Sequence, residues 1–243
     1  MNTTAVSLVP GHAFHGLVQI AGVHDLQEAT MLAQAGADAI GFPLRLPVNA
    51  EDCTEDEAAH MALAIAPQAT PVCICYLDRA EEIRQFCAAL NMRHVQLHGD
   101  IAPEELERLK MTAPELFVIK SLVIRSDADH ADELEDRMHR MSPFVDAFIT
   151  DTHNPATGAD GATGMVHDWS ISRRLVERSS RPVILAGGLT PDNVAEAIRM
   201  VRPAGVDAHT GLEGADGRKD RNLSLRFIRL AKQALATFSA MTP

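Results

Sequence analysis

Aromatic residues, cysteine pairs and long apolar runs are all scarce in this sequence of 243 residues. Aromatics make up only 4% and hydrophobic residues 46%, so a sizeable core is expected that must be mostly aliphatic. The four cysteines form no C-x-x-C pair, which favours a reduced, cytosolic compartment over a disulfide framework. No apolar run approaches the roughly 20 residues of a membrane span, and no signal peptide is visible. We therefore expect a soluble cytoplasmic protein without membrane contacts.

Positive charge is also in short supply. The formal net charge is −11, because 33 acidic residues outnumber 22 lysines and arginines. Nucleic-acid partners need basic surfaces for their phosphates, so this balance argues against nucleic-acid binding. An anionic small molecule stays compatible with it, because backbone N–H groups can hold a phosphate whatever the net charge. The sequence indicates no cofactor and leaves the oligomeric state open.

Eight short apolar segments alternate with amphipathic ones along the chain. The apolar segments, which we predict to be strands, are residues 17–23, 37–43, 70–77, 94–99, 116–122, 147–152, 182–188 and 204–211. Nearly continuous apolar character is typical of parallel strands that helices cover on both faces. Eight β-then-α units favour a closed (β/α)8 TIM barrel of the α/β class. We expect one such domain over residues 1–243, with residues 1–16 as an N-terminal extension.

Glycine-rich loops follow the last two predicted strands. In this fold, ligands bind at the carboxyl ends of the strands, so these loops are candidates for function. Gly187 and Gly188 lead into a helix, where free N–H groups can hold a phosphate. Thr210 and Gly211 take the matching place after the eighth strand. We therefore predict a phosphorylated ligand between these loops, rather than tight turns alone.

Ionisable residues end several other strands. Asp151 ends the sixth strand, where it could serve in chemistry or cap a turn. Lys120 ends the fifth strand and could contact an anion, form a Schiff base or be a paired structural charge. His98 ends the fourth strand and is a further candidate for ligand binding. A glycine-rich loop over residues 154–164, which ends at Gly164, could close over the ligand.

Three more histidines, His24, His153 and His209, follow the first, sixth and eighth strands at the same rim. An imidazole can act as a general base near neutral pH. Three imidazoles beside Asp151 could instead bind zinc or another transition metal. Their spacing follows no local metal motif, so we favour a metal-free site. His209 is a better candidate base than His24, because it occupies an inward position at the rim.

A series of motifs, in order along the chain, resembles the phosphoribosylanthranilate isomerase family of tryptophan biosynthesis. The motifs are GADAIGF, VQLHG, VIKS, TDT, GATG, DW, LAGGLTPDNV, GVD and GRKD. The resemblance implies a (β/α)8 barrel and a small phosphorylated sugar as substrate. It also implies an Amadori rearrangement, in which an aminoaldose ring opens to an aminoketose.

The resemblance also implies roles for individual positions. The family's general acid corresponds to Asp151. Its general base, a cysteine at the end of the first strand, corresponds to Ala21, which has no ionisable group. The family's arginine that faces the substrate carboxylate has no counterpart, and its place falls near Glu51. His209 or His24 would then serve as the base.

Two other functions stay open from the sequence. One is a divergent lyase or a metal-assisted isomerase that acts on another phosphorylated sugar. The other is a non-catalytic phosphosugar-binding protein that keeps the phosphate loops but has lost the base. The loss of a positioned base typically costs about 10²–10⁴-fold in rate. Whether another group takes over the role of the missing base therefore decides between these functions.

Overall fold

A computed structural model describes residues 6–48, 50–124, 130–154, 159–160 and 168–239. Eight parallel strands alternate with eight helices in this part of the chain. The strands are β1 (Leu17–Ala21), β2 (Ala39–Pro43), β3 (Thr70–Cys75), β4 (His94–Leu97), β5 (Phe117–Ile124), β6 (Ala147–Asn154), β7 (Val183–Leu185) and β8 (Gly205–Ala208). The helices are α1 (Leu26–Ala35), α2 (Glu55–Ile65), α3 (Ala80–Ala89), α4 (Pro103–Thr112), α5 (His130–Met141), α6 (Trp169–Arg178), α7 (Val194–Val201) and α8 (Arg221–Ser239).

The eight strands form one closed ring. Each strand pairs in parallel with the next one along the chain, from β1 to β8. The last strand returns to the first, with Leu17 opposite Gly205 and Val18 opposite Val206. Every barrel strand is thus hydrogen-bonded on both sides. The predicted (β/α)8 TIM barrel is confirmed.

Alternate residues of each strand face two different cores, as the pleat of a strand requires. One set fills the inside of the barrel, for example Ile74, Ile119 and Ile149. The other set, which includes Ile20 and Val118, packs against the surrounding helices. Both sets are almost fully buried. This double burial explains why the strand segments are apolar throughout.

The segment before β1 closes the bottom of the barrel. Leu8 is buried against the interior core, and His94 Nε2 lies 3.0 Å from the Leu8 carbonyl oxygen. Phe14 packs on Phe117 at the start of β5, with their ring centroids 6.1 Å apart. Residues of the predicted N-terminal extension are thus part of the barrel floor, and the open end lies at the opposite side.

Two buried carboxylates at the starts of strands hold this floor. Asp38 Oδ1 accepts hydrogen bonds from the Val6 N–H at 3.1 Å and from Lys232 Nζ at 3.0 Å. Asp146 Oδ1 accepts from the Gly11 N–H at 2.8 Å. Both carboxylates are buried, so these charge-assisted bonds are strong local ties.

Helix caps set how the loops enter the first two helices. Asp25 caps α1 by accepting from the Glu28 N–H at 2.9 Å. Thr54 and Glu57 form a capping box at the start of α2, which fixes the end of the β2–α2 loop. Asp52 lies in that loop, two residues before the cap. Among the described residues, none of the helices has the length and apolar character that a bilayer crossing requires.

One pairing was not predicted from the sequence. The end of β6 extends to Asn154, and His153 and Asn154 pair in antiparallel fashion with Asp160 and Ala159. The glycine and proline content of residues 154–164 favoured a loop throughout. Backbone pairing above the rim overrides that local preference.

Candidate active site

An open cavity of about 250 Å³ lies at the carboxyl ends of the strands. Its lining comes from the ends of seven strands or from the loops that follow them. The lining includes Ala21, Pro43, Leu46, Ala50, Asp52, Ile74, Tyr76, Gln96, His98, Asp151, Gly187, Gly188, Asp207, His209, Thr210 and Gly211. The cavity therefore brings together most of the candidate residues that the sequence places at strand ends.

The loops after β7 and β8 pack against each other at one end of the cavity. Gly187 and Gly188 both have positive φ, at 98° and 61°, a conformation that side chains disfavour. Asn193 fixes the first loop, because its Nδ2 donates to the Gly188 carbonyl oxygen at 2.9 Å. A Cβ at Gly211 would overlap with the Leu189 carbonyl oxygen of the other loop. The two loops approach so closely because residue 211 has no side chain.

The imidazole of His209 lies over the end of β1. A Cβ at Gly22 would overlap with its Nε2, and Gly22 has a φ of 75°. The same Nε2 lies 3.8 Å from Asp52 Oδ2 and 3.5 Å from Glu213 Oε1. Burial lowers the pKa of His209 to about 3, and the nearby charge of Lys219 acts in the same direction. The ring is therefore neutral at physiological pH and can accept a proton.

His24 lies on the other side of Asp52 and outside the cavity lining. Its Nε2 is 3.8 Å from Asp52 Oδ1 and 3.3 Å from the Gly217 carbonyl oxygen. Its backbone N–H donates to Glu28 Oε2 at 2.7 Å. Asp52 thus separates two imidazoles, and only His209 borders the cavity. Burial raises the pKa of the Asp52 carboxyl group, with the charge of His24 opposing the shift.

A chain of polar side chains crosses the barrel from β1 to β6, and three of its members, Gln96, His98 and Asp151, line the cavity. Gln19 Nε2 on β1 donates to Gln96 Oε1 on β4 at 2.8 Å. Gln96 Nε2 lies 2.7 Å from His98 Nε2, and His98 Nδ1 lies 3.7 Å from Asp151 Oδ2. The Gln96 amide nitrogen can only donate, so Nε2 of His98 accepts and its Nδ1 carries the hydrogen. His98 therefore presents an N–H towards Asp151, the candidate acid.

The charge state of His98 agrees with this arrangement. Burial lowers the pKa of His98 to about 3, and the charge of Lys120 adds to that effect. Because its Nε2 accepts from Gln96 and its Nδ1 carries the hydrogen, the neutral His98 ring has no free lone pair that could take a proton from Asp151. Asp151 itself is buried at the end of β6, and its Oδ1 accepts from the Thr152 N–H at 2.8 Å.

Asp207 is a cavity residue that sequence reasoning missed. It lies on β8, two positions before His209 in the sequence, and it is buried. Its Oδ1 has no hydrogen-bond partner among the described residues, and burial raises the pKa of Asp207 to about 7. An ionisable residue inside a predicted buried strand, two positions before a candidate base, was the available signal. Asp52 was missed as well, because it lies in an irregular loop.

Another candidate residue, Lys120, does not line the cavity. Lys120 is buried on β5, and its Nζ donates to the carbonyl oxygens of Leu97 at 3.1 Å and Ser121 at 2.8 Å. Gly164 and the side chain of His153 lie outside the described residues. Their proposed ligand contacts stay predictions.

The metal alternative gains no support from the described part of the chain. No group of three or more histidine, cysteine, aspartate or glutamate side chains there has the arrangement of a metal site.

Comparison with known proteins gives the family. Residues 18–229 match the sequence model of a family described as N-(5'-phosphoribosyl)anthranilate isomerase. The match runs from β1 into α8, so it includes every loop that borders the cavity. The chain belongs to this family. The predicted membership of the phosphoribosylanthranilate isomerase family is confirmed.

Individual phosphoribosylanthranilate isomerases match over nearly the whole chain. N-(5'-phosphoribosyl)anthranilate isomerase 2 of Methanosarcina mazei is 40% identical over 219 residues, which cover 88% of this chain and 93% of that protein. The enzyme of that name from Haloferax volcanii is 36% identical over 218 residues, or 89% of this chain and 93% of that protein.

Solved structures of phosphoribosylanthranilate isomerases have the same fold. The Thermotoga maritima enzyme is 28% identical, with a TM-score of 0.74 over 89% of this chain and 98% of that one. Another solved isomerase is in complex with reduced 1-(o-carboxyphenylamino)-1-deoxyribulose 5-phosphate. It is 27% identical, with a TM-score of 0.72 over 89% of this chain and 98% of that one.

Proposed function

We propose that this protein is an aldose–ketose isomerase, an intramolecular oxidoreductase, that performs the Amadori rearrangement of N-(5'-phosphoribosyl)anthranilate in tryptophan biosynthesis. Relatives of the family are named for N-(5'-phosphoribosyl)anthranilate, and one solved relative is in complex with a reduced aminoketose phosphate. One observation carries the proposal for this chain. A neutral imidazole, His209, lies against Gly22 directly after β1 and lines the same cavity as Ala21 and Asp151.

The reaction needs one acid and one base. Asp151 donates a proton to the ring oxygen of the sugar, so the C1–O bond breaks and the amine nitrogen forms a protonated imine with C1. His209 Nε2 then removes the proton from C2, and the electron pair of that C–H bond moves to form the C1=C2 double bond of an enolamine. Transfer of a proton to C1 and loss of the proton on the C2 hydroxyl give the aminoketose.

Two carboxylates lie near the imidazole that would accept the proton. In the resting protein the ring is neutral, because burial disfavours the imidazolium. Once the ring has accepted a proton, Asp52 and Glu213 lie 3.8 Å and 3.5 Å from Nε2 and can stabilise the new charge. Lys219 donates to Glu213 at 2.9 Å, which keeps that carboxylate in place.

The phosphate would lie between the loops after β7 and β8. Gly187, Gly188, Thr210 and Gly211 border that end of the cavity. Backbone N–H groups at such loops can hold a phosphate without basic side chains. Binding there would orient the sugar across the mouth, towards His209 and Asp151, which is the positioning that the two proton transfers require.

Direct turnover tests the proposal. The purified protein is incubated with N-(5'-phosphoribosyl)anthranilate, and the aminoketose product is followed by NMR. We expect conversion to the aminoketose. A folded protein that does not convert this substrate would overturn the proposal in favour of the phosphosugar-binding alternative.

Substitution of the two histidines tests the assignment of the base. His209→Asn should lower kcat by about 10²–10⁴-fold, while the Kd for a reduced aminoketose phosphate changes little. His24→Asn should lower kcat much less, because His24 lies outside the cavity lining. Adding Ala21→Cys to His209→Asn should restore part of the turnover, because a thiol at that position reaches the same region. Unchanged turnover in His209→Asn would refute this role.

A further inference from the structure

The cavity has two unlike ends. The loops after β7 and β8 form the end proposed for the phosphate. In a ring of eight strands, β3 and β4 lie opposite β7 and β8. That opposite side has a mainly apolar wall, which we call the aryl wall, formed by Pro43, Leu46, Ile74 and Tyr76. Such a wall suits the aromatic ring on the nitrogen of the substrate.

The aryl ring of this substrate carries an ortho carboxylate, for which the cavity offers no cationic side chain. Within the part of the chain that the structure describes, no lysine or arginine belongs to the lining. Arg45 follows β2, but its Nε donates to Glu55 at 2.8 Å and its guanidinium lies 3.8 Å from the centre of the Phe86 ring. Arg45 is therefore held against α2 and α3. A neutral hydrogen-bond donor is left to bind the carboxylate.

His98, directly after β4, has a buried donor without a partner. Its side chain is 6% exposed and lines the cavity. Because its Nε2 accepts from Gln96 at 2.7 Å, the hydrogen of the neutral ring is on Nδ1. This Nδ1 has no hydrogen-bond partner among the described residues. A buried, unpaired N–H group is costly, so a ligand oxygen at this point would remove that cost.

The imidazole of His98 lies between the aryl wall and the candidate acid. Its ring packs beside that of Tyr76, with the two centroids 5.5 Å apart. Its Nδ1 is 3.7 Å from Asp151 Oδ2, which is too far for a direct hydrogen bond. In the substrate, one nitrogen joins the aryl ring to C1, which bears the ring oxygen that Asp151 protonates. A carboxylate ortho to that nitrogen would therefore fall between the aryl wall and Asp151, beside the N–H of His98.

From this arrangement we propose that His98 recognises the aryl carboxylate of the substrate, by donating a hydrogen bond from Nδ1 to one carboxylate oxygen. The inference rests on the proposed isomerase function and names a specificity-determining residue for it. A hydrogen bond from an N–H group to a carboxylate is charge-assisted. Asp151 does not repel the carboxylate, because a general acid carries its proton when the substrate binds. The nearby carboxylate in turn disfavours the loss of that proton before the reaction.

A pair of matched ligands tests the proposal. One is reduced 1-(o-carboxyphenylamino)-1-deoxyribulose 5-phosphate, and the other is its phenylamino counterpart, which lacks only the carboxylate. Calorimetry gives the Kd of each ligand. The carboxylated ligand should bind about tenfold more tightly, as expected for one hydrogen bond to a charged group.

Three variants assign this preference to one nitrogen. His98→Phe keeps a ring beside Tyr76 but has no donor, so the two Kd values should become nearly equal. His98→Asn should keep part of the preference, because its amide nitrogen can take about the position of Nδ1. His94→Phe is the matched control, since His94 lies on the same strand but contacts the Leu8 carbonyl oxygen in the barrel floor, outside the cavity lining. The control should keep the full preference.

NMR of the unsubstituted protein gives a measurement that does not depend on how well the variants fold. The protein is labelled with ¹⁵N-histidine, and the Nδ1–H signal of His98 is assigned by its absence from the spectrum of His98→Asn. The carboxylated ligand should move this proton signal downfield, because the hydrogen then bonds to a charged oxygen. The phenylamino ligand should not. A signal that responds in the same way to both ligands would overturn the proposal.

The outcomes separate the inference from the proposed function. If neither ligand binds and N-(5'-phosphoribosyl)anthranilate is not converted, the isomerase function fails. If the substrate is converted but the two ligands bind equally well, the function stands and the recognition of the carboxylate by His98 is overturned. A preference that persists in His98→Phe and disappears in Arg45→Gln would assign the carboxylate to Arg45 instead. Loss of the preference in His94→Phe as well would show a general effect of the substitutions and would also overturn the assignment to His98.

Discussion

Asp207 is a single residue whose surroundings predict a measurable dependence of stability on pH. Burial raises its pKa to about 7 in the folded protein, against an ordinary value of 3.8. Between those two values, the folded chain holds a proton that the unfolded chain has released. The contribution of Asp207 to stability therefore decreases as the pH rises from about 4 to about 7.

The Asp207→Asn variant should lose this dependence. Relative to the unsubstituted protein, the variant should become more stable as the pH rises from 5 to 8, so the difference between their free energies of unfolding should increase. The reason is that the amide carries no charge to desolvate. Urea unfolding of both proteins at the two pH values measures the change, and other titrating groups cancel in the difference. A difference that is the same at pH 5 and pH 8 would contradict the raised pKa.

Among the elements, the strands were predictable down to the face on which their side chains lie. Ile119 faces the barrel interior, so Lys120, the next residue, lies on the opposite face of β5. The same alternation places Asp151 on the inner face of β6, together with Ile149. Lys120 could thus have been assigned to the outer face from the sequence, and Asp151 to the inside. The period of two carries this information because both faces of each strand are buried.

The loops were not predictable to the same degree. Both His24 and His209 follow strands at the same rim, yet only His209 borders the cavity. The difference comes from distant contacts: Gly22 leaves room for His209, and Gly217 offers a carbonyl oxygen to His24. Asp52 lies in a loop, where no strand or helix period indicates the direction of a side chain. Such positions depend on tertiary packing, which a local sequence pattern does not encode.

The contact between the ends of β1 and β8 can be tested by substitution of Gly22. In Gly22→Ala, the new Cβ would overlap with His209, so the imidazole must move away from the end of β1. We expect a fall in kcat of at least about tenfold, with the Kd of a reduced aminoketose phosphate kept. Steady-state kinetics and calorimetry measure the two quantities.

Gly11→Ala is the matched control for that variant. Gly11 has a φ of 78°, close to the 75° of Gly22, so both variants suffer the same backbone strain. A Cβ at Gly11 would meet nothing within 4 Å. The control should lose stability but keep its kcat. An equal loss of kcat in both variants would show that strain, rather than the displaced imidazole, is responsible.

For the whole molecule, the segment before β1 should contribute to the stability of the barrel. Leu8 is buried in the barrel floor, and Leu8→Ala should lower the free energy of unfolding by about 2–5 kcal/mol. The adjacent Val9 is 44% exposed, so Val9→Ala should change it by less than about 0.5 kcal/mol. Denaturant unfolding compares the two variants. Equal effects would show that residues 6–14 do not complete the core.

The contacts of Asp38 bear on the order in which the βα units can follow one another along the chain. One of its oxygens accepts from both the Val6 N–H and the ammonium group of Lys232 in the last helix, so the segment before β1 and helix α8 meet at one carboxylate. Strand β8 pairs with β1 just as every other strand pairs with its neighbour. A gene that started at another βα unit, with a linker from α8 to the segment before β1, should therefore encode the same barrel, a property that circular permutation exploits.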